Sequence, residues 1–272
     1  MINHTENNTT TRVGQAIATV IKDTESYAGD RITTFELVYP RYIHAELLTH
    51  RMFSRNSSSS RATPLKVTLD EVENDPVFFD FVGKNQAGMV AGESLKDDDL
   101  LYFEHEWKKL GAYVARKIGE LSEICDVHKQ TLNRALEPWL RIKTLVTSTD
   151  WDNFFALRLA PDAQPEMQSL AKAMKEAMGK SEVKVSEYHF PYVDLENWNS
   201  PYTPLKVSVA RCARVSYARL DGKPENPQDD VALYHRLLES GHFSPFEHVA
   251  FAKKGKYANF KGWQSLRNQL DK

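Results

Sequence analysis

Two runs rich in Ile, Val, Thr and Phe, residues 15–22 and 31–39, flank the polar octet DTESYAGD. β-branched and aromatic residues fit a pleated sheet, and a Gly-containing turn between two such runs predicts a β-hairpin. Pro40 then supplies the first residue of a helix, and RYIHAELLTHRMF places Ile43, Leu47 and Leu48 on one helical face. Farther on the period changes. Leu100, Leu101, Phe103, Trp107, Leu110, Val114 and Ile118 recur at helical spacing over residues 98–119. Further helices are expected over 124–139, 150–159, 163–178, 205–217, 230–240 and 259–270, with a strand over 248–253. No short tandem repeat is evident. The fold class is α+β, helix-dominated with a small antiparallel sheet.

Residues 1–11, Asn- and Thr-rich, read as a disordered tail without the apolar core of a signal peptide. Residues 12–272 read as one catalytic domain, interrupted by a long, proline-containing connection at about 179–204. A net charge of −2 gives no global attraction to nucleic acid or an anionic membrane, so a bound anion needs a local arginine cluster. No stretch approaches the roughly 20 apolar residues of a membrane span. The two cysteines, Cys125 and Cys212, have no metal-ligand spacing and read as small buried thiols in a reducing, cytoplasmic location. His242, Glu247 and His248, and His44, Glu46 and His50, lack HExxH or paired Cys/His spacing, so no catalytic metal is expected.

THRMFSRNSSSSRA, residues 49–62, sets four consecutive serines between arginines directly after a helix. Hydroxyls and loop amides donate to phosphate oxygens and guanidinium adds a bidentate contact, while the same composition also suits a flexible linker. Arg158 lies in the apolar run FFALRLA, in which Phe154, Phe155 and Leu157 read as core. An unpaired guanidinium there is costly, so it needs an anionic or carbonyl partner, with Asp162 and Glu166 the nearest candidates.

The segment 49–62 resembles the signature RHRxxSxNxxSxRY of the flavin-dependent thymidylate synthases at His50, Arg51, Ser54, Asn56, Ser59 and Arg61. It departs from it at Thr49 and Ala62. TSTDWDNFFALRLAPDAQPEM, residues 147–167, resembles a later helix pair of that family, and residues 128–143 the helix before it, with Arg141 at a phosphate-binding arginine. VARCARVSY and GHFSPFEH, at 209–217 and 241–248, resemble the segments with which a family member usually begins. The blocks therefore stand in the order of a circular permutation, which one packing can tolerate when termini lie close together.

That resemblance implies a fold like the family's and reduced FAD acting in the methylation of dUMP at C5. Methylenetetrahydrofolate would be the carbon donor and NADPH the reductant. It places Ser57, Ser59, Arg61 and Arg141 on phosphate and sugar, and Glu46, where the family has Gln, near the nucleotide. Ser57 stands where the family has Glu. Arg158 would contact the uracil carbonyls. His50, Arg51, Asn153, Ser244 and Glu247 would contact FAD, and His242 would orient substrate or relay a proton. The family builds each site from several subunits, which implies a homotetramer. Trp263 and Arg267, four apart, either echo an aromatic-plus-arginine helix of the family or belong to an amphipathic C-terminal helix. Two rival readings stand beside methylation: another flavin-dependent C5 change such as hydroxymethylation, and a flavin- or nucleotide-binding homologue without turnover.

Overall fold

A computed structural model describes residues 8–216 and 226–270. The strands are β1 (Thr9–Val13), β2 (Ala16–Glu25), β3 (Arg31–Pro40), β4 (Ser54–Ser57), β5 (Arg141–Ser148), β6 (Lys184–Val185), β7 (Tyr188–His189), β8 (Ala250–Tyr257) and β9 (Phe260–Ser265). The helices are α1 (His44–Leu47), α2 (Leu65–Asn74), α3 (Asp97–Cys125), α4 (Lys129–Leu132), α5 (Asp152–Arg158), α6 (Pro165–Lys180), α7 (Tyr202–Ala213), α8 (Pro227–Glu239) and α9 (Leu266–Leu270). Two sheets form. The larger runs β1-β2-β3-β5-β4, with β6 beside β2, and the smaller runs β7-β8-β9. Apart from the parallel β2–β6 contact, the pairings are antiparallel.

The alternation of each strand decides what covers it. Phe35, Leu37 and Tyr39 of β3 share a face with Val146 and Ile142 of β5 and with Ala18 and Val20 of β2. That face packs on α6 through Met167, Leu170, Met174 and Ala177. Burying a side chain of this size stabilises by roughly 1.5–3 kcal/mol. Behind the sheet, Ile21 and Leu145 meet Cys212 and Val215 at the end of α7. Because both faces are covered, β3 is buried along almost its whole length, as a central strand should be. A separate cluster joins α2 and α3 to the 3-10 turn Asn133–Trp139. There a Cβ on Gly111 would stand 2.9 Å from the Trp139 ring, so only glycine lets α3 approach so closely.

The predicted hairpin is β2–β3, and the helices expected over 98–119, 163–178 and 230–240 are α3, α6 and α8. Other expectations are corrected. Of the supposed tail, Thr9–Thr11 pair with β2, while residues 1–7 lie outside the described residues. Within the serine-rich stretch, whose composition also suits a flexible linker, Ser54–Ser57 form a strand, because they complete the sheet beside β5. Residues 124–139 are not one helix: α3 ends at Cys125, where Asp126 takes a left-handed conformation (φ 49°), and Pro138 falls in a 3-10 turn. Arg141 therefore stands on a strand. The last helix shrinks to α9 because residues 260–265 pair with β8 and bury Trp263, so Trp263 and Arg267 share no helical face. Leu157 is exposed rather than core, and of the two free thiols Cys125 is exposed. Among the described residues no helix is long and apolar enough to cross a membrane.

Candidate active site

β3 ends at Pro40, and the chain turns through α1 to return along β4 at the edge of the sheet. This reversal brings Glu46, Thr49 and His50 against the end of α5. Arg158 Nε donates to His50 Nε2 at 2.8 Å and Nη2 donates to Thr49 Oγ1 at 3.3 Å. The nearest carboxylate oxygen, Glu46 Oε2, is 3.6 Å from Nη1. A ring nitrogen that accepts from a guanidinium carries no proton, so His50 is the neutral Nδ1–H tautomer. Burial, with Arg158 and Arg55 beside it, pushes its pKa down to about 4. The ring packs between Phe53 and Phe154. Burial also raises the Glu46 carboxyl, against the pull of Arg158. The partners of Arg158 are thus Glu46, His50 and Thr49, and not Asp162 or Glu166. Glu166 instead accepts from the Asp80 amide and from Gln164.

The serine-rich stretch is pinned at each step, which removes the linker reading. Ser57 Oγ accepts from Thr144, and Tyr39 Oη bridges Thr144 and His44 at 2.8 Å each. Ser58 exchanges bonds with the Lys143 backbone. Ser60 Oγ donates to Glu137 at 2.8 Å, and Asn133 Nδ2 donates to the Ser60 and Thr63 carbonyls. The same Glu137 oxygen takes Arg134 at 2.9 Å and Arg41 at 3.2 Å. Ser59 Oγ accepts from the Arg61 amide, leaving Arg61 exposed at the tip. Arg141 is not brought to this loop. Its guanidinium binds the Asp75 carboxylate at 3.0 Å and Gln15 at 2.9 Å.

β4 is closed from its other side by the C-terminal part of the chain. Asn56 Nδ2 donates to the Cys212 carbonyl at 2.8 Å, and its Oδ1 accepts from Ser216 at 2.8 Å and Ser244 at 3.4 Å. Asn259 Nδ2 donates to Ser54 Oγ at 3.1 Å. Arg51 and Asn153 are exposed, on either side of His50 and Phe154. Glu247 is half-buried at the end of a 3-10 turn. His242 lies exposed after α8, beside Phe243, on whose ring Arg267 stacks. A cleft of about 720 Å³ opens next to Met52 and Asp152, lined also by Trp151, Phe155, Lys175 and Asn259.

The family model described as thymidylate synthase complementing protein matches residues 4–181. The chain belongs to that family. The match takes in the arginine signature, α5 and α6, and ends before the segments at 209–217 and 241–248. None of the curated proteins matches the chain. Among solved structures, thymidylate synthase X from Helicobacter pylori with FAD and dUMP is 20% identical over 54% of this chain and 67% of that one, with a TM-score of 0.36. A second structure of that flavin-dependent enzyme with FAD and dUMP is 21% identical, over 54% of this chain and 67% of that one, with a TM-score of 0.36. The UMP/dUMP methylase PolB from Streptomyces cacaoi, bound with 5-Br UMP, is 13% identical over 61% of this chain and 89% of that one, with a TM-score of 0.47.

Sequence reasoning passed over four residues of this candidate site. Asn56 was read only as a match to the signature, yet it ties β4 to three C-terminal residues. Arg134 and Glu137, three apart in sequence, were lost in an expected helix. Thr49 was read only as a departure, and it touches Arg158.

Proposed function

We propose that this chain is a flavin-dependent enzyme that methylates dUMP at C5, with methylenetetrahydrofolate as carbon donor and NADPH as reductant. Membership of the family supports the class of reaction. The observation that carries the reading is the setting of Arg158, oriented by a neutral histidine and a hydroxyl with the nearest carboxylate only at 3.6 Å. Arg158 gives its hydrogen bonds to neutral groups and pairs with Glu46 only at 3.6 Å, whereas Arg141 hydrogen-bonds the Asp75 carboxylate at 3.0 Å. Arg158 would stabilise charge building up on the uracil carbonyls as C5 becomes nucleophilic. Ser57, Ser59 and Arg61 would hold phosphate and sugar. Arg134, which shares Glu137 with the serine loop, is better placed than Arg141 to join them. Glu46 would border the nucleotide.

FAD fits the residues present. The cleft beside Met52 and Asp152 has Trp151 and Phe155 on its walls with Lys175, Lys256 and Lys261 among its lining, which suits a planar ring system carrying phosphates. The family resemblance assigns the flavin to His50, Arg51, Asn153, Ser244 and Glu247, none of which is among the residues lining that cleft. When bound it supplies the redox chemistry. His242 would orient substrate or relay a proton. The bonds from Cys212, Ser216 and Ser244 to Asn56 support a permuted order of one catalytic domain over residues 12–272. A homotetramer in the cytoplasm belongs to the same reading.

The test is Arg158→Ala. It should keep fold and flavin absorbance while losing about 100-fold or more in dTMP formation, the usual scale for one such donor. Normal turnover would remove Arg158 from the mechanism. The contact of Thr49, where the family has Arg, with Arg158 favours a second reading in which the C5 product differs, for example a hydroxymethyl group. Mass spectrometry of the product from dUMP separates the two. Ligand binding without NADPH oxidation would identify a homologue without turnover.

A further inference from the structure

Two titratable side chains near the serine-rich stretch, His44 and Tyr39, have no part in the setting of Arg158. Tyr39 is fully buried near the end of β3, and its Oη stands 2.8 Å from His44 Nδ1 on α1 and 2.8 Å from Thr144 Oγ1 on β5. Thr144 Oγ1 in turn donates to Ser57 Oγ at 3.1 Å. Four side chains from α1, β3, β5 and β4 thus make one line, from a half-buried imidazole to the first of the four consecutive serines.

The line runs in one direction. A hydroxyl carries a single hydrogen. Thr144 gives its hydrogen to Ser57, so it accepts from Tyr39, and Tyr39, having spent its own, accepts from His44. His44 therefore bears its hydrogen on Nδ1. Burial, with Arg41 and Arg55 beside it, holds its pKa down at about 4 and keeps it neutral at pH 7. Burial raises Tyr39, which keeps its hydrogen as well. Ser57 Oγ accepts from inside the protein, and among the described residues its own hydrogen meets no acceptor. The serines that follow end differently. Ser60 gives its hydrogen to Glu137, and Ser58 and Ser59 take backbone amides.

We propose that His44, acting through Tyr39 and Thr144, fixes Ser57 as a hydrogen-bond donor to the phosphate of the bound nucleotide. The inference rests on the reading that the serine-rich stretch holds dUMP. Phosphate oxygens are strong acceptors, whereas a sugar hydroxyl both gives and accepts. A line that only gives matches phosphate, and hydrogen bonds to ionised oxygens are the strong ones. His44 is a positioning residue, since it sets which way the hydrogens point and touches no substrate.

Calorimetric titration of dUMP and of deoxyuridine into the full chain with FAD tests this. Ser57→Ala should weaken dUMP binding about 10-fold or more, the scale of one hydrogen bond to a charged group, and leave deoxyuridine binding unchanged. His44→Asn and His44→Asp have one shape. Asn still donates to Tyr39, whereas an ionised Asp only accepts, which turns every hydrogen of the line around and leaves Ser57 none to offer. His44→Asn should bind dUMP as the native protein does, and His44→Asp about 10-fold or more weakly. A new negative charge also repels phosphate directly, so His44→Asp is repeated on Tyr39→Phe, where the line is cut and the added penalty should disappear. Equal losses for His44→Asn and His44→Asp, an equal penalty with and without Tyr39, or the same loss for deoxyuridine in Ser57→Ala would each overturn the inference while leaving the proposed reaction standing. A native chain that binds no dUMP would sink both.

Discussion

Two groups of histidine and threonine lie on opposite faces of the larger sheet, and the chain uses them in opposite ways. In the interior, Thr24, His189, Thr34, Thr147 and His248 form an unbroken line of hydrogen bonds of 2.9, 2.7, 2.6 and 2.8 Å. All five are fully buried. The line crosses from β2 and β3 to β7, β5 and the turn before β8, so it fastens the C-terminal part to the sheet. At the edge, His50 and Thr49 accept from the Arg158 guanidinium instead, and Arg158 also pairs with the Glu46 carboxylate, with Thr49 exposed and Arg158 half-buried. Burial suppresses protonation in both places, holding His248 at about 3 and His50 at about 4. What differs is the partner. Hydroxyls join the buried histidines into one line, whereas His50 accepts from Arg158, whose pairing with Glu46 is longer, at 3.6 Å.

Breaking the interior line should have the largest effect on folding. His189→Ala deletes a fully buried ring and two hydrogen bonds, and should lower stability by roughly 3–5 kcal/mol. Urea unfolding measures that loss, and a change below about 1 kcal/mol would end the contrast between the two groups. Acid comes next. His44, His50, His189 and His248 are all held below the ordinary value. The unfolded chain therefore binds more protons than the folded one below about pH 6.5. Stability is full above that pH and falls as pH drops toward 4, by up to about 1.4 kcal/mol per pH unit for each histidine. The slope of stability against pH, compared between the native protein and His248→Gln, tests this, with the variant expected to be shallower.

The edge group should answer in the reverse sense. His50→Ala should cost only about 1–2 kcal/mol in unfolding free energy and yet lower turnover at least tenfold, since Arg158 loses the group that orients it. A variant that lost stability and kept its activity would assign His50 to packing. Thr49→Val is the finest probe. It removes a 3.3 Å contact at an exposed position and should change stability by less than about 0.5 kcal/mol. Its value lies in the product, because an altered ratio of C5 substituents would tie residue 49 to the chemistry.

Periodic segments could be read directly. The hairpin and α3 carry patterns of their own, so β2–β3 and Asp97–Cys125 follow from spacing. β4 and β5 could not be read so easily. SRNS looks like loop by composition and becomes a strand only because β5 lies beside it. RIKTLVTS is rich in β-branched residues, but it follows directly on a segment read as a helix. In β9, pairing with β8 and the burial of Trp263 override a helical spacing with Arg267. For the site, the residue types of the signature were visible, and the partners of Arg158 were not. Local reasoning offered Asp162 and Glu166, four and eight positions away. The fold supplies His50, 108 residues distant. Sequence neighbours cannot reveal a contact made by a sheet edge.

The strand that bears the arginine signature is the outermost of its sheet, and three residues from the chain's final third hold it in place through Asn56. The central strands do not depend on that grip. Warming that loosens the grip on Asn56, while the buried line through Thr34 and Thr147 still holds, should therefore silence the enzyme several degrees before the sheet itself melts. Inactivation and unfolding would then be two separate events along the temperature axis.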